Sequence, residues 1–502
     1  MRSTIRRIII RTDVTTDIGT GHLMRCRSLA QRLRDFGVST EFLMAQCPEE
    51  LKRTLTDEGF DFVRVNCASG SNEDANFTAR AATEADWIIV DGYHFDSGYQ
   101  KKLKSAGMRI LFIDDYVHCK EYSADIVLNQ NMYATSTMYR DKAPHSKILS
   151  GSNYTLLRAE FLSRRSHEKR VPRIARNILV TLGGSDKDNL TARVVRALDF
   201  SRFKNLEVRV VIGAINQNAG EIVRICSESM KKMKVLVKID NMAEMMNWAD
   251  LAISAGGTTA YELAITTTPS IMLVIADNQR LNASEFSKRG FAKIIEDPFG
   301  IADNELTECF DSIISSGERR RKMVASLKGV VDGQGPERIL MNMEGTDIWL
   351  RRAKNEDSKM ILRWENDDET RKMSYTKAKI SLKTHAIWFD SKLKDPSCLL
   401  LIGMDRSDSP VGSARIESRM QCGTLSIIID QKYRGKGYGP QMIAMTCRMG
   451  VNILGLKNFD AFVKKINKPS LRAFEKSGFK LISSEIIHGE ESYHMILETS
   501  KE

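Results

Sequence analysis

The segment Gln431-Lys-Tyr-Arg434-Gly-Lys-Gly-Tyr-Gly-Pro440 puts three glycines between an apolar strand pattern, Leu425 to Asp430, and a helix pattern, Met442 to Met449. Glycine lets a backbone approach a ligand closely. A helix start offers unpaired N–H groups and a partial positive charge. Arg434, Gly435, Lys436, Gly437, Tyr438 and Gly439 are therefore candidates for a pyrophosphate cradle. A second candidate lies at the other end of the chain. Gly19-Thr-Gly21-His22 follows an apolar run, Ile8 to Arg11, and precedes a helix pattern with Leu29, Leu33 and Phe36 on one face. His22 then stands at the carboxyl end of a parallel strand, where α/β folds open onto a ligand crevice, and an imidazole there can take a proton. Two more glycine turns follow apolar runs: Thr181-Leu-Gly183-Gly184-Ser185-Asp186, and Ser254-Ala-Gly256-Gly257-Thr258-Thr259-Ala-Tyr-Glu262. Two such loops facing one cleft can hold a diphosphate by backbone N–H groups, with Thr258 and Thr259 adding hydroxyls.

The elements that must position these residues alternate. Residues 1–165 interleave helical patterns with strand-like runs at Ile8–Arg11, Thr40–Met44, Trp87–Asp91, Ile110–Asp114 and Ile126–Asn129. A basic polar stretch, Ser163 to Ala175, follows. The pattern restarts over 166–332, at Ile178–Leu182, Val208–Ile212, Leu251–Ser254, Ile271–Val274 and Lys293–Glu296. Alternation of this kind implies α/β domains with mostly parallel sheets. A break near Asp332-Gly-Gln-Gly-Pro336 precedes a third segment, 347–502. There Leu399–Gly403, Val411–Glu417, Leu425–Asp430 and Asp460–Val463 read as strands after two helices.

The chain has 502 residues, too many for one ordinary core, and length alone suggests about three domains. No apolar run approaches the roughly 18 residues that cross a bilayer, and the first residues do not read as a signal peptide, so no membrane association is expected. Nine cysteines are scattered without a CxxC pair, which points to a reducing cytoplasm and away from disulfides or zinc. Eight histidines show no metal spacing, and no acidic metal cluster is visible, so no metal is expected. The net charge of +11 is dispersed and no nucleic-acid module is present, which fits a cationic surface drawing anionic nucleotides better than nucleic-acid binding.

The Arg-x-x-Gly-x-Gly pattern from Arg434 resembles the acetyl-CoA loop of the GNAT acetyltransferases. Asn467-Lys-Pro-Ser470-Leu-Arg-Ala-Phe474-Glu-Lys-Ser-Gly478-Phe479 resembles their second signature. The resemblance covers residues 347–502. It implies acetyl-CoA as co-substrate, with Asn467 and Ser470 bonding the pantetheine arm. The family commonly has a Tyr at the position of Phe474, as the acid for the leaving thiolate, and Phe cannot serve. Glu417 is a possible proton acceptor, or a solvated acid. Ile361-Leu-Arg-Trp364-Glu-Asn366 and His385-Ala-Ile-Trp-Phe389 resemble substrate-side helices of an amino-sugar N-acetyltransferase, though a Trp/Phe pair at helical spacing also suits a core.

The string Asp13 to Ala30, around Gly19-Thr-Gly-His22-Leu-Met-Arg25-Cys26, resembles the opening signature of the UDP-sugar hydrolases of pseudaminic acid synthesis. These relatives of GT-B glycosyltransferases transfer a sugar to water. Asp86-Trp-Ile-Ile-Val-Asp-Gly-Tyr93, Phe112-Ile-Asp-Asp115, Ala124-Asp-Ile-Val-Leu-Asn129 and Leu157-Arg-Ala-Glu-Phe161 look like further blocks of that family. The resemblance runs through residues 1–300. It implies two Rossmann-like halves around a cleft, with His22 as general base, Asp13 and Tyr93 beside it, and Gly19, Gly21 and Arg25 on the substrate. Gly183, Gly184, Ser185, Gly256, Gly257, Thr258 and Thr259 would clamp UDP, with Glu262 on the ribose. Asn278 and Gln279 would face the sugar and diphosphate. Val14-Thr15 stand where the family usually has Ala-Ser, which puts a serine contact in doubt. Together the resemblances imply N-acetylation of a UDP-4-amino sugar followed by release of UDP. The motifs leave open a different amino sugar, a glycosyltransferase in place of the hydrolase, or a domain that only binds. The oligomeric state is not legible.

Overall fold

The computed structural model describes residues 4–499 apart from 16–18, 163–168, 185, 214–215, 238 and 240. Ser185 and residues 163–168 of the basic stretch after Leu162 therefore lie outside the described residues. The chain divides into two compact units. One comprises Ile5–Arg32 and Ser39–Pro336. The other comprises Glu337–Glu502 together with the short segment Leu33–Val38.

The first unit holds two parallel sheets. The N-terminal sheet contains β1 (Arg7–Thr12), β2 (Ser39–Met44), β3 (Asp61–Arg64), β4 (Trp87–Asp91), β5 (Ile110–Ile113), β6 (Ile126–Asn129) and β7 (Lys147–Ser150) in the order β3-β2-β1-β4-β5-β6-β7. Ile8, Ile9 and Ile10 are fully buried because helices cover both faces of a parallel sheet. The order reverses between β1 and β4, so the carboxyl ends of these strands flank a crevice. Helix Gly21–Arg34 starts beside the end of β1 and carries His22 in its first turn.

The second sheet contains β8 (Asn177–Thr181), β9 (Glu207–Ile212), β10 (Lys232–Val237), β11 (Leu251–Ala255), β12 (Ser270–Leu273) and β13 (Ala292–Ile295), in the order β10-β9-β8-β11-β12-β13. Its reversal falls between β8 and β11, the strands that lead into the two glycine turns. These are two Rossmann-like domains.

The second unit folds around β14 (Ile348–Arg352), β15 (Cys398–Asp405), β16 (Pro410–Arg419), β17 (Cys422–Ile429), β18 (Asn458–Lys464), β19 (Lys480–Ile487) and β20 (Glu490–Glu498). The sheet order is β14-β15-β16-β17-β18-β20-β19. Neighbours are antiparallel except β17 and β18, which run parallel and pair only over Cys422–Thr424 and Asn458–Asp460. Beyond that point the strands part, leaving unpaired backbone beside the glycine loop that follows β17. Three helices, Ser358–Glu365, Asp368–Met373 and Leu382–Lys394, separate β14 from β15, where the sequence pattern suggests two. The extra one is a six-residue turn capped by Asp367, too short to show periodicity.

Candidate active sites

The first site is built on buried charge. The carboxylate of Asp91, at the end of β4, is fully buried. It stands 2.6 Å from Nδ1 of His22 and takes two bonds from Arg25, Nε to Oδ2 and Nη2 to Oδ1, both at 2.6 Å. A contact that short between a ring nitrogen and a carboxylate requires a proton, so Nδ1 donates. Nη2 of Arg25, 3.1 Å from the same nitrogen, is then a neighbour and not a donor to it. With Nδ1 protonated, Nε2 carries the lone pair, which is the arrangement of a general base. Burial opposes the charge on Asp91, but Arg25 and His22 outweigh it and hold its carboxyl well below the usual range.

Arg25 reaches further. Its Nη1 donates to both oxygens of Asp115, at 2.8 and 3.0 Å. Burial also opposes ionisation of Asp115, and Arg25 again lowers its carboxyl. Asp115 accepts from the hydroxyl of Tyr93 at 2.6 Å and from Nδ2 of Asn131 at 2.8 Å. The ring of Tyr93 meets His22 edge to face, with centroids 4.7 Å apart. His118 lies behind this group, 2.6 Å from Asp114 through Nδ1. Burial opposes its charge, yet the Asp114 carboxylate pushes the imidazole up to about 10.

Residues from the second domain close on this group. Asn278 donates through Nδ2 to the Tyr93 hydroxyl at 2.9 Å, and Tyr261 accepts from the backbone N–H of Met132 at 2.8 Å. Gly184 abuts Thr20: a Cβ at 184 would lie 2.4 Å from Thr20 Oγ1. Gly183 has φ +95°, so the turn needs glycine there. Gly19 likewise has φ +75°, while Gly21 opens the helix. Gly256 and Gly257 lead into helix Thr259–Ile265, with Thr258 at its N-cap making no side-chain capping bond.

Several residues sit differently from the sequence expectation. Asp13 does not touch His22. Its carboxylate is consumed by Arg11 at 2.8 Å, His94 at 3.1 Å and the backbone N–H groups of Ala45 and Gln46, so it locks the loop after β1. Arg25 is 4% exposed with its guanidinium divided between two aspartates, which leaves it positioning the dyad instead of facing a substrate. Gln279 turns inward and accepts from the N–H groups of Gly256 and Ile275 at 3.2 and 3.3 Å, bracing the glycine turn. Glu262 already holds Arg158 at 2.9 Å through Oε1. The sequence reading gave no role to Asp91 or Asp115. The available signal was a carboxylate at the carboxyl end of each of two adjacent strands.

In the second unit, Gly435 and Gly437 have φ +78° and +81°, and a Cβ at either would meet nothing within 4 Å. Both point to open space, as a ligand cradle requires. Helix Tyr438–Leu454 starts at this turn with Gly437 as its N-cap. The Arg434 side chain does not line the cradle. It bonds Asp367 at 2.6 Å, Thr370 at 3.0 Å, Glu369 and the carbonyl of Ile429, and so fixes the loop. Lys436 lies over the Tyr433 ring at 4.8 Å. Oδ1 of Asn467 accepts from the N–H of Ser470 at 3.2 Å, capping helix Lys468–Lys476 and leaving its amide N–H₂ available.

Phe474 is 3% exposed and packs edge to face on Phe479. Glu417 is paired with Lys392 at 3.0 Å and Arg415 at 2.9 Å, which suits a surface ion pair better than a base. Trp364 and His385 are core residues; Trp364 donates to Asp430 at 2.6 Å. A cavity of about 400 Å³ opens beside Trp364 and Arg434, lined by Asn366, Asp367, Asp368, Lys379 and Asp430 among others.

Among the described residues, no cluster of three or more His, Cys, Asp or Glu has the geometry to hold a metal, and no helix is long and apolar enough to cross a membrane.

Comparison with known proteins agrees with these folds. Residues 347–480 match the acetyltransferase (GNAT) domain, and residues 177–324 match the glycosyltransferase family 28 C-terminal domain. An uncharacterized protein of Methanocaldococcus jannaschii is 24% identical over 488 residues, covering 94% of this chain and 96% of the relative. The spore coat polysaccharide biosynthesis protein SpsG of Bacillus subtilis is 26% identical over 326 residues, 64% of this chain and 93% of its own. The UDP-2,4-diacetamido-2,4,6-trideoxy-β-L-altropyranose hydrolase of Campylobacter jejuni is 23% identical over 289 residues, 57% of this chain and 97% of its own. The chain therefore fuses a segment homologous to a UDP-sugar hydrolase to a C-terminal GNAT acetyltransferase domain.

Proposed function

We propose that the chain acts twice on one UDP-activated amino sugar in pseudaminic acid synthesis. The GNAT domain transfers acetyl from acetyl-CoA to the amine of a UDP-4-amino-4,6-dideoxy sugar. The Rossmann-like pair then hydrolyses UDP-2,4-diacetamido-2,4,6-trideoxy-β-L-altropyranose to UDP and free sugar. The observation that carries the reading is the Nδ1–H bond from His22 to buried Asp91, which leaves Nε2 to accept a proton at the cleft. Similarity to the Campylobacter jejuni hydrolase over nearly all of that protein supports the substrate class.

In the hydrolysis, Nε2 of His22 takes a proton from water as its oxygen bonds to the anomeric carbon, and the bond from that carbon to the UDP oxygen breaks. A single displacement inverts the configuration. The glycine turn at 183–184 and Gly257 supply fixed donors for the departing diphosphate, which makes UDP a good leaving group, while the N–H of Gly256 is held by Gln279. Asp91 does not take the proton; it holds the imidazole and stabilises its charged form. In the acetyl transfer, the amine attacks the thioester carbonyl, the C–S bond breaks and CoA leaves as the thiolate; the proton shed by the nitrogen passes to solvent and balances the one that the thiolate takes up. Orientation carries most of this step. Phe474 supplies no proton, so the thiolate takes one from water or leaves unassisted.

An NMR time course with the UDP-4-amino sugar, with and without acetyl-CoA, tests the reading. Acetylated free sugar and UDP should appear only when acetyl-CoA is present. His22→Asn should abolish UDP release while UDP-sugar affinity stays nearly intact. Unchanged turnover in that variant would remove His22 from the mechanism.

A further inference from the structure

The polar groups around His22 form one connected network that reaches into the opposite domain. Asn278 donates Nδ2–H to the Tyr93 oxygen at 2.9 Å. Tyr93 donates its only O–H to Asp115 at 2.6 Å. Asp115 and Asp91 share the guanidinium of Arg25, and Asp91 accepts from His22. Each hydrogen has one possible direction. An amide N–H₂ cannot accept, a carboxylate cannot donate, and a guanidinium has no lone pair to offer. Burial and the Asp115 carboxylate hold the Tyr93 hydroxyl far above its ordinary value, so its proton stays in place as the donor.

Every member from Tyr93 inward is buried or half-buried, whereas Asn278 is exposed, on the short turn Asp277–Gln279 that follows β12. The neighbouring Gln279 braces the turn at Gly256. The segment that supports the glycine turn is therefore the segment that grips Tyr93.

We propose that Asn278 is a positioning residue. It reports the seating of the second domain to the catalytic histidine through Tyr93, Asp115, Arg25 and Asp91, so the base is aligned only when the two domains are correctly apposed. Low-dielectric surroundings strengthen such a chain and make its members interdependent. The proposal rests on the hydrolase reading above and gives that reading a control point: water is activated only when the nucleotide-holding loop is in register.

The test compares Asn278→Asp, which keeps the shape and removes the donor, with Tyr93→Phe and the double variant. Three readouts are taken: kcat and KM for UDP release, Kd for UDP alone, and the NMR signal of the His22 Nδ1 proton in the ligand-free protein. Loss of the donor should lower kcat about tenfold while KM and the Kd for UDP stay within about twofold. The double variant should be no worse than Tyr93→Phe, as expected for members of one unit. The His22 proton signal should shift or broaden in both single variants. A fall in UDP affinity matching the loss of kcat would make Asn278 a ligand contact and overturn the proposal. So would multiplying effects in the double variant, or an unchanged His22 signal. The NMR arm needs no substrate. If the wild-type protein releases no UDP, the hydrolase reading fails while the chain of bonds is still judged by that signal.

Discussion

Arg25 holds Asp91 with two parallel bonds of 2.6 Å, and neither side chain has appreciable access to water. A carboxylate buried to orient a base must have its charge compensated, or burial would protonate it. Arg25 provides that compensation from three residues beyond His22, one turn along the same helix face.

Removing Arg25 should therefore damage the fold as well as the reaction. Arg25→Met leaves Asp91 and Asp115 as buried carboxylates without their cation. The expected loss of stability is about 3–5 kcal/mol. Thermal or denaturant unfolding of the variant measures it, and a change under about 1 kcal/mol would contradict the buried geometry.

Asp91→Asn keeps the shape but presents an amide that no longer commands the Nδ1–H tautomer. UDP release should fall by about 10²–10⁴-fold in kcat. UDP binding, followed by calorimetry, should change little because Asp91 lies beneath the histidine and away from the glycine turns.

His118 gives a pH signature on the alkaline side. Its imidazole sits at about 10 against an ordinary 6.5, held there by Asp114. A group raised on folding contributes stability that is fully present below its unfolded value and is lost as pH rises through its folded value. Unfolding free energy should therefore decline between about pH 6.5 and 10. His118→Asn should flatten that slope. The depressed carboxyls of Asp91 and Asp115 act oppositely: their contribution is present above the ordinary carboxylate range and disappears as acid reaches it.

Gly437→Ala tests the cradle of the acetyltransferase. At φ +81° an alanine costs about 1–2 kcal/mol. Its methyl group would project into the open space where the pyrophosphate is expected. Acetyl-CoA affinity should fall about tenfold, equivalent to about 1.4 kcal/mol, while UDP release from the diacetamido sugar continues and serves as the control.

Phe474→Tyr should not create the missing acid. The ring is buried against Phe479, so a hydroxyl there would lose water without an assured partner, at a cost of about 1–3 kcal/mol. Acetyl transfer should show no gain in kcat, and a marked increase would mean that the ring reaches the thioester.

The architecture was legible because buried parallel strands announce themselves. Ile8–Arg11 and Trp87–Asp91 are apolar runs that no solvated segment would carry, and β1 and β4 occupy them. The edge strand β13 was legible, but β10 and β19 were silent for the converse reason. Both are largely exposed, and they mix polar residues (lysine in β10; lysine, serine and glutamate in β19) with apolar ones, so their apolar content alone does not mark them.

His22 and the glycine turns could be placed from their position after strands. The partnership of His22 with Asp91 could not, because 69 residues separate them and only the pairing of β1 with β4 brings them together. Asp13, which the family resemblance set beside His22, is instead held by Arg11 and His94, partners that the local sequence does not announce.

The contact of Gly184 with Thr20 carries a consequence for how such proteins can diversify. The seam between the domains is tight enough there to refuse a single methyl group. A second Rossmann-like domain taken from another protein would mate with this N-terminal domain only if it brought a glycine at that place, or if Thr20 shrank in step. Exchange of halves is thus no free recombination. New specificity in this lineage would be reached by altering both sides of the seam together, or by changing loops well away from it.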